Sequence, residues 1–135
     1  MTNKIQITEK DRRTKILVID DSVDVQKDFF EILQKRGDYP RINREDIKKS
    51  LRAVESFLRK VPYKAILMDG NLELKLDGSC DGAVLTNFIQ EGRYGSLNKE
   101  TPIYNISASY TIPRTLEGVY KEGNIEECLK KVRLI

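Results

Sequence analysis

Continuous apolar runs alternate with apolar residues at helical spacing along most of the chain. Ile16-Leu17-Val18-Ile19 is unbroken and ends on Asp20-Asp21, which suits a strand covered on both faces. Val25, Phe29, Ile32 and Leu33 then recur at helical spacing, with Ser22 as N-cap and Gly37 as the stop. A short strand is predicted around 39–42. A long helix is predicted over about 45–60, with Ile47, Leu51, Val54 and Leu58 on one face. Pro62 closes that region. Ala65-Ile66-Leu67-Met68 forms the second strong run and ends on Asp69, followed at once by Gly70-Asn71. The stretch "GNLELKLDGSCDG" reads as a long polar loop. Val84, Leu85, Phe88 and Ile89 mark another helix, and "TPIYNISAS" a third strand entered through Pro102. "GVYK" is a brief strand at most, and "NIEECLKKV" a last helix with Asn124 as N-cap.

Strands alternating with helices at this pitch imply βαβ units and a mainly parallel sheet. Right-handed crossovers place the C-terminal ends of its strands on one edge, where open α/β sheets bind ligands. Asp20, Asp21, Asp69 and Ser107 stand at those ends, so they are expected to converge. Turn formation alone accounts for Asp69-Gly70-Asn71, and helix capping for one of Asp20 and Asp21. Three carboxylates on one low-dielectric edge call for a positive charge among them, and a hard divalent ion such as Mg2+ fits. The carbonyl of Asn71 offers a further oxygen. A carboxylate beside such an ion can also act as a nucleophile toward phosphorus. A hydroxyl and an ammonium from neighbouring strand ends, Ser107 and Lys121, suit the equatorial oxygens of a phosphoryl group. Taken singly, a serine there is usually a turn residue and a lysine a solvated charge.

Composition narrows the chemistry. The 135 residues make one domain's length, with 33% charged and 39% hydrophobic residues and a formal net charge of +3. Basic residues are interspersed with acids, so no nucleic-acid partner is expected. There is no histidine, which excludes a histidine general base, a Ser-His-Asp triad and a histidine zinc site. Cys80 and Cys128 lack metal-ligand spacing and read as free thiols of a reducing compartment. No apolar run approaches the roughly 18 residues of a membrane span. The polar start of the chain is not a secretory signal, and a cytoplasmic location is expected.

In the order DD, D, S, K, these residues make the chain similar to the receiver domains of bacterial response regulators. "KILVIDDS" resembles the first strand with its acidic pair, and "AILMDGNL" the phosphoacceptor strand. "TPIYNISAS" resembles the hydroxyl-bearing strand, and "YKEGNIEECLKKV" the lysine and final helix. The resemblance spans roughly 14–133. It implies a (βα)5 flavodoxin-like three-layer sandwich, sheet order 2-1-3-4-5, with 1–13 as a flexible lead-in and 14–135 as the receiver. It also implies that Asp69 accepts phosphate from a histidine kinase or histidine phosphotransfer protein. Asp20, Asp21, Asp69 and the Asn71 carbonyl would hold Mg2+, while Ser107 and Lys121 would hold the phosphoryl oxygens. The chain would then be no enzyme beyond its own phosphoryl transfer, and would signal to a downstream protein.

The sequence departs from the family pattern in four places. Gly82 stands 13 positions after Asp69, so residues 72–82 contain an insertion. Only 14 positions separate Ser107 from Lys121, so the fourth helix is shortened or missing. Gly118 stands where an aromatic switch residue is usual, with Tyr120 as its possible substitute or simply a packing residue. Glu122 stands where a cis-proline is usual. Because the chain ends soon after its last helix, a stand-alone receiver is expected. The alternatives are a degenerate receiver acting as a phosphorylation-independent interaction module, or a Mg2+-dependent phosphatase with an aspartate nucleophile. Asn71 weighs against the phosphatase, because an aspartate general acid belongs at that position.

Overall fold

Side chains of successive strand residues point to opposite faces, and here that alternation sorts two apolar runs into two cores. The computed structural model describes residues 13, 15–20, 22–33, 51–72 and 80–135. Within them lie β1 (Lys15–Ile19), α1 (Val23–Leu33), α2 (Leu51–Lys60), β2 (Tyr63–Met68), α3 (Asp81–Gln90), β3 (Ile103–Asn105) and α4 (Ile125–Lys131). Leu17, Ile19, Ile66 and Met68 pack with Val54 and Leu58 of α2 and Leu85 and Ile89 of α3. Ile16, Val18, Ala65 and Leu67 pack on the other side with Phe29 and Leu33 of α1 and Ile125 and Leu129 of α4. The result is a three-layer α/β sandwich. The predicted strand at 39–42, the N-terminal part of the predicted helix over 45–60 and Gly37 lie outside the described residues.

The sheet is parallel in the order β1-β2-β3. Ile19 lies opposite Met68, and Met68 opposite Asn105, so the three strands end level with one another. β1, β2 and β3 correspond to the first, third and fourth of the five predicted strands. The predicted fifth strand is not regular. Leu116 makes an isolated parallel bridge to Tyr104, and Lys121 N–H donates to the Ile106 carbonyl at 3.2 Å. Between them Gly118 adopts φ +118, which interrupts any continuous ladder. A β-carbon at Gly118 would also lie 2.8 Å from Val132 Cγ1, so glycine here serves the backbone and the packing of the last turn.

Among the described residues no helix lies between β3 and Leu116. The chain makes two turns instead, with Pro113 exposed and Arg114 at φ +63. The expected loss of the fourth helix is complete. Gln90 Nε2 donates to the Arg114 carbonyl at 3.1 Å, and Arg114 contacts the Asn87 side chain, so the replacement loop is fastened to α3. Capping follows the sequence at both ends of the chain. Ser22 Oγ accepts from Val25 N–H at 3.3 Å, and Asn124 Oδ1 from Glu127 N–H at 3.1 Å. No helix among the described residues is long and apolar enough to cross a membrane.

At the opposite edge of the sheet, one buried amide does the fastening. Asn98 Nδ2 donates to the carbonyls of Leu58 and Val61, both at 2.8 Å. Its Oδ1 accepts from Tyr63 N–H at 3.0 Å and from Thr101 Oγ1 at 2.9 Å. It thereby joins the end of α2, the start of β2 and the approach to β3. Arg13 braces the same region, with Nη1 2.8 Å from Thr101 Oγ1 and Nη2 2.8 Å from the Leu97 carbonyl. Asn98→Leu would strand several buried backbone groups and should lower unfolding stability by about 2–4 kcal/mol. Chemical denaturation measures this, and a loss below about 1 kcal/mol would contradict the role assigned to Asn98.

Candidate functional site

Asp20 and Asp69 follow directly on the last residues of β1 and β2, which are neighbours in the sheet. Asp69 N–H donates to the Ile19 carbonyl at 3.0 Å, and Ile106 N–H to the Met68 carbonyl at 3.0 Å. The ladder thus continues one step past the strands and carries both acids to the same edge. Both are buried, Asp20 at 0% exposure and Asp69 at 3%. Lys121 Nζ lies between them, 3.0 Å from Asp20 Oδ2 and 2.9 Å from Asp69 Oδ1. The other oxygen of Asp20 accepts from Ser22 N–H at 2.8 Å. One carboxylate therefore both orders the entry to α1 and joins the charged cluster.

Ser107 is buried two residues beyond β3, and its N–H donates to Asn105 Oδ1 at 2.9 Å. Asp69, Asn71, Ser107, Ser109, Tyr110 and Lys121 all border one cleft of about 480 Å³. The structure therefore brings Asp69, Asn71, Ser107 and Lys121 together, with Asp20 reached through Lys121. Asp21 lies outside the described residues. Tyr120 is exposed while Val119 is fully buried, so the residue proposed to replace the aromatic switch points outward. The peptide after Lys121 is trans.

Two glycines let backbone pass close to the acid. A β-carbon at Gly82 would lie 2.2 Å from the Asp69 carbonyl oxygen. Its N–H donates to the Gly70 carbonyl at 3.0 Å, and Cys80 Sγ approaches the same oxygen at 3.5 Å. Gly70 therefore lies directly against Cys80 and Gly82 at the start of α3. At Gly70 a β-carbon would meet Tyr110, 2.5 Å from its Cβ.

Sequence reasoning missed two side chains here. Gln26 is 2% exposed, and its Nε2 donates to the carbonyls of Val18 and Asp20, each at 3.0 Å. It pins the end of β1 from α1. Its signal was an amide beside Val25 on the apolar face of that helix. Asn105 gave none, because a polar residue at a strand end is ordinary.

Burial raises the Asp69 pKa above its ordinary value and the Asp20 charge adds to that, while Lys121 and the Gly70 N–H oppose it. Burial also works against the Lys121 ammonium. Its hydrogen bonds to Asp69 and Asp20 outweigh that and raise its pKa. Two buried carboxylate oxygens converging on one cation, beside Asn71, form a donor set suited to a hard divalent ion. Among the described residues no group of three acidic, cysteine or histidine side chains forms a complete metal cluster.

No family model and no curated protein sequence matches the chain. Solved structures do. The chemotaxis protein CheY4 of Vibrio cholerae is similar at 22% identity, over 91% of this chain and 99% of its own, with a TM-score of 0.59. The receiver domain of the sensor histidine kinase PA1611 from Pseudomonas aeruginosa is similar at 20% identity, over 89% and 93%, with a TM-score of 0.54. That structure holds a magnesium ion in its active-site cleft. These likenesses establish the fold, which is the flavodoxin-like α/β fold of CheY-like receiver domains.

The pKa directions set the pH response. A carboxyl whose folded pKa is raised favours folding while protonated, so its stabilising contribution fades as pH rises from the unfolded to the folded value. Lys121, raised likewise, contributes fully below its unfolded pKa and loses that contribution as pH climbs through the folded one. Asp69→Asn should therefore remove the loss of stability that accompanies Asp69 ionisation as pH rises, and be more stable than the parent at neutral pH. Lys121→Met should push the Asp69 pKa higher still. Denaturation across pH and carboxyl NMR titration check the two, and an Asp69 pKa that falls in Lys121→Met would refute the electrostatic account.

Proposed function

We propose that this chain is a response-regulator receiver that accepts a phosphoryl group on Asp69 and signals by protein–protein interaction. The observation that carries the proposal is the Lys121 ammonium within 3.0 Å of both Asp20 and Asp69, at the ends of adjacent parallel strands. An Asp69 oxygen attacks phosphorus as the bond from phosphorus to the donor breaks, and the donor leaves with that electron pair. Lys121 shifts from the Asp69 carboxylate toward the phosphoryl oxygens, with Asp20 still holding its charge in place. Ser107 offers its hydroxyl to the same oxygens from the neighbouring strand end. Asp20, Asp21, Asp69 and the Asn71 carbonyl would hold Mg2+, which neutralises charge on the transferring group.

The donor is a histidine kinase or a histidine phosphotransfer protein, and the receiver works in the cytoplasm. Its chemistry is confined to loading and unloading its own carboxylate, so it is not an enzyme acting on free substrates. Loss of the fourth helix and the outward Tyr120 mean that the phosphorylated state is read through a different surface from one built on those two features.

Incubation with Mg2+ and acetyl phosphate should label the protein, and beryllofluoride should bind at the same place. Asp69→Asn should abolish labelling, while Lys121→Ala and Ser107→Ala should slow it by at least about tenfold. Label that persists in Asp69→Asn would remove Asp69 as the acceptor. A folded protein that takes neither acetyl phosphate nor beryllofluoride would support the interaction module instead.

A further inference from the structure

Tyr110 stands on the loop that replaces the fourth helix, and its side chain is seated on Gly70, the residue after Asp69. The contact is close enough that a β-carbon at position 70 would lie 2.5 Å from Tyr110 Cβ and 2.6 Å from its Cγ. The position that glycine leaves open is thus filled by Tyr110. The backbone of Tyr110 is held as firmly. Asn105 Nδ2 donates to the Tyr110 carbonyl at 2.7 Å, while Asn105 Oδ1 accepts from Ser107 N–H at 2.9 Å. Asn105 is 3% exposed at the end of β3, so one buried amide sets both the Ser107 and the Tyr110 backbone. Both residues border the cleft that contains Asp69.

We infer that the Tyr110 ring limits access of water to a phosphoryl group on Asp69 and so sets how long it persists. The inference rests on Asp69 being the phosphoacceptor. Loss of the phosphoryl group is hydrolysis. A water oxygen bonds to phosphorus as the bond from phosphorus to the Asp69 oxygen breaks, Asp69 leaves as a carboxylate with the electron pair, and the water's protons pass to phosphate and solvent. The attacking water must come from the side of phosphorus away from Asp69, through the open part of the cleft. Tyr110, seated on Gly70 and lining the same cleft as Asp69, takes up part of the space through which water reaches the site, and excluding water protects a reactive intermediate. With no helix following Ser107, the wall on this side is a loop, and Tyr110 is its bulkiest residue at the cleft.

The test charges the full chain with acetyl phosphate and Mg2+, removes the donor, and follows the half-life of the phosphoryl group on Asp69. Melting temperature is recorded alongside. Tyr110→Ala should shorten the half-life by about fivefold or more, and Tyr110→Phe should keep it within about twofold of the parent, because the ring and not the hydroxyl does the shielding. Tyr110→Leu keeps apolar bulk for folding but lacks the ring, and should also shorten it. Half-lives unchanged in the folded Leu or Ala variant would overturn the inference, as would a Phe variant as short-lived as Ala. A parent protein that takes no label at Asp69 defeats the phosphoacceptor reading and this inference with it. A labelled parent with unchanged variants defeats this inference alone.

Discussion

Lys121 carries its ammonium to a point about 3 Å from two buried carboxylates, and the sheet edge is organised around that contact. Asp20 and Asp69 end neighbouring strands whose register leaves them level, so without a cation their charges would oppose each other in a poorly solvated place. The register cannot relax to separate them, because a slip of one residue would exchange side chains between two cores that are each packed against their own helices. The lysine must therefore come to the acids. The backbone arranges this by a single hydrogen bond from Lys121 N–H to Ile106, after a segment too irregular to count as a strand.

That irregular segment and the missing helix are two aspects of one economy. The chain between Ser107 and Lys121 has too few residues for a helix and a strand, and it holds its path by side-chain bonds together with the one backbone bridge at Leu116. Gln90 and Asn87 of α3 fasten Arg114, and Asn105 fastens Ser107 and Tyr110. A buried amide that satisfies two backbone groups fixes a loop much as a turn of helix would, provided that both bonds are made. Ser107 consequently borders the same cleft as Asp69 although no helix follows it.

Features that depend on neighbouring residues were readable in the sequence. The two apolar runs, the caps at Ser22 and Asn124, and the acids at the strand ends follow from local pattern, and parallel topology then predicts their convergence. Features that depend on distant partners were not. Asn98 joins residues up to 40 positions away, and nothing around it marks it as buried. Gly118 read as an absent aromatic, yet its positive φ and the Val132 methyl are what require glycine there. Tyr110 gave no signal because its partner, Gly70, is informative only once the two are seen in contact.

Of the carboxylates at this sheet edge, Asp69 is the one expected to become an acyl phosphate. Borohydride reduces such a mixed anhydride to the alcohol, so an aspartyl phosphate becomes homoserine while an unmodified aspartate does not react. Peptide mass mapping of the protein treated with acetyl phosphate and Mg2+, then reduced, reads the position directly. Homoserine at position 69, with Asp20 and Asp21 unchanged, is the result expected. Homoserine at either of those acids, with Asp69 intact, would contradict the account.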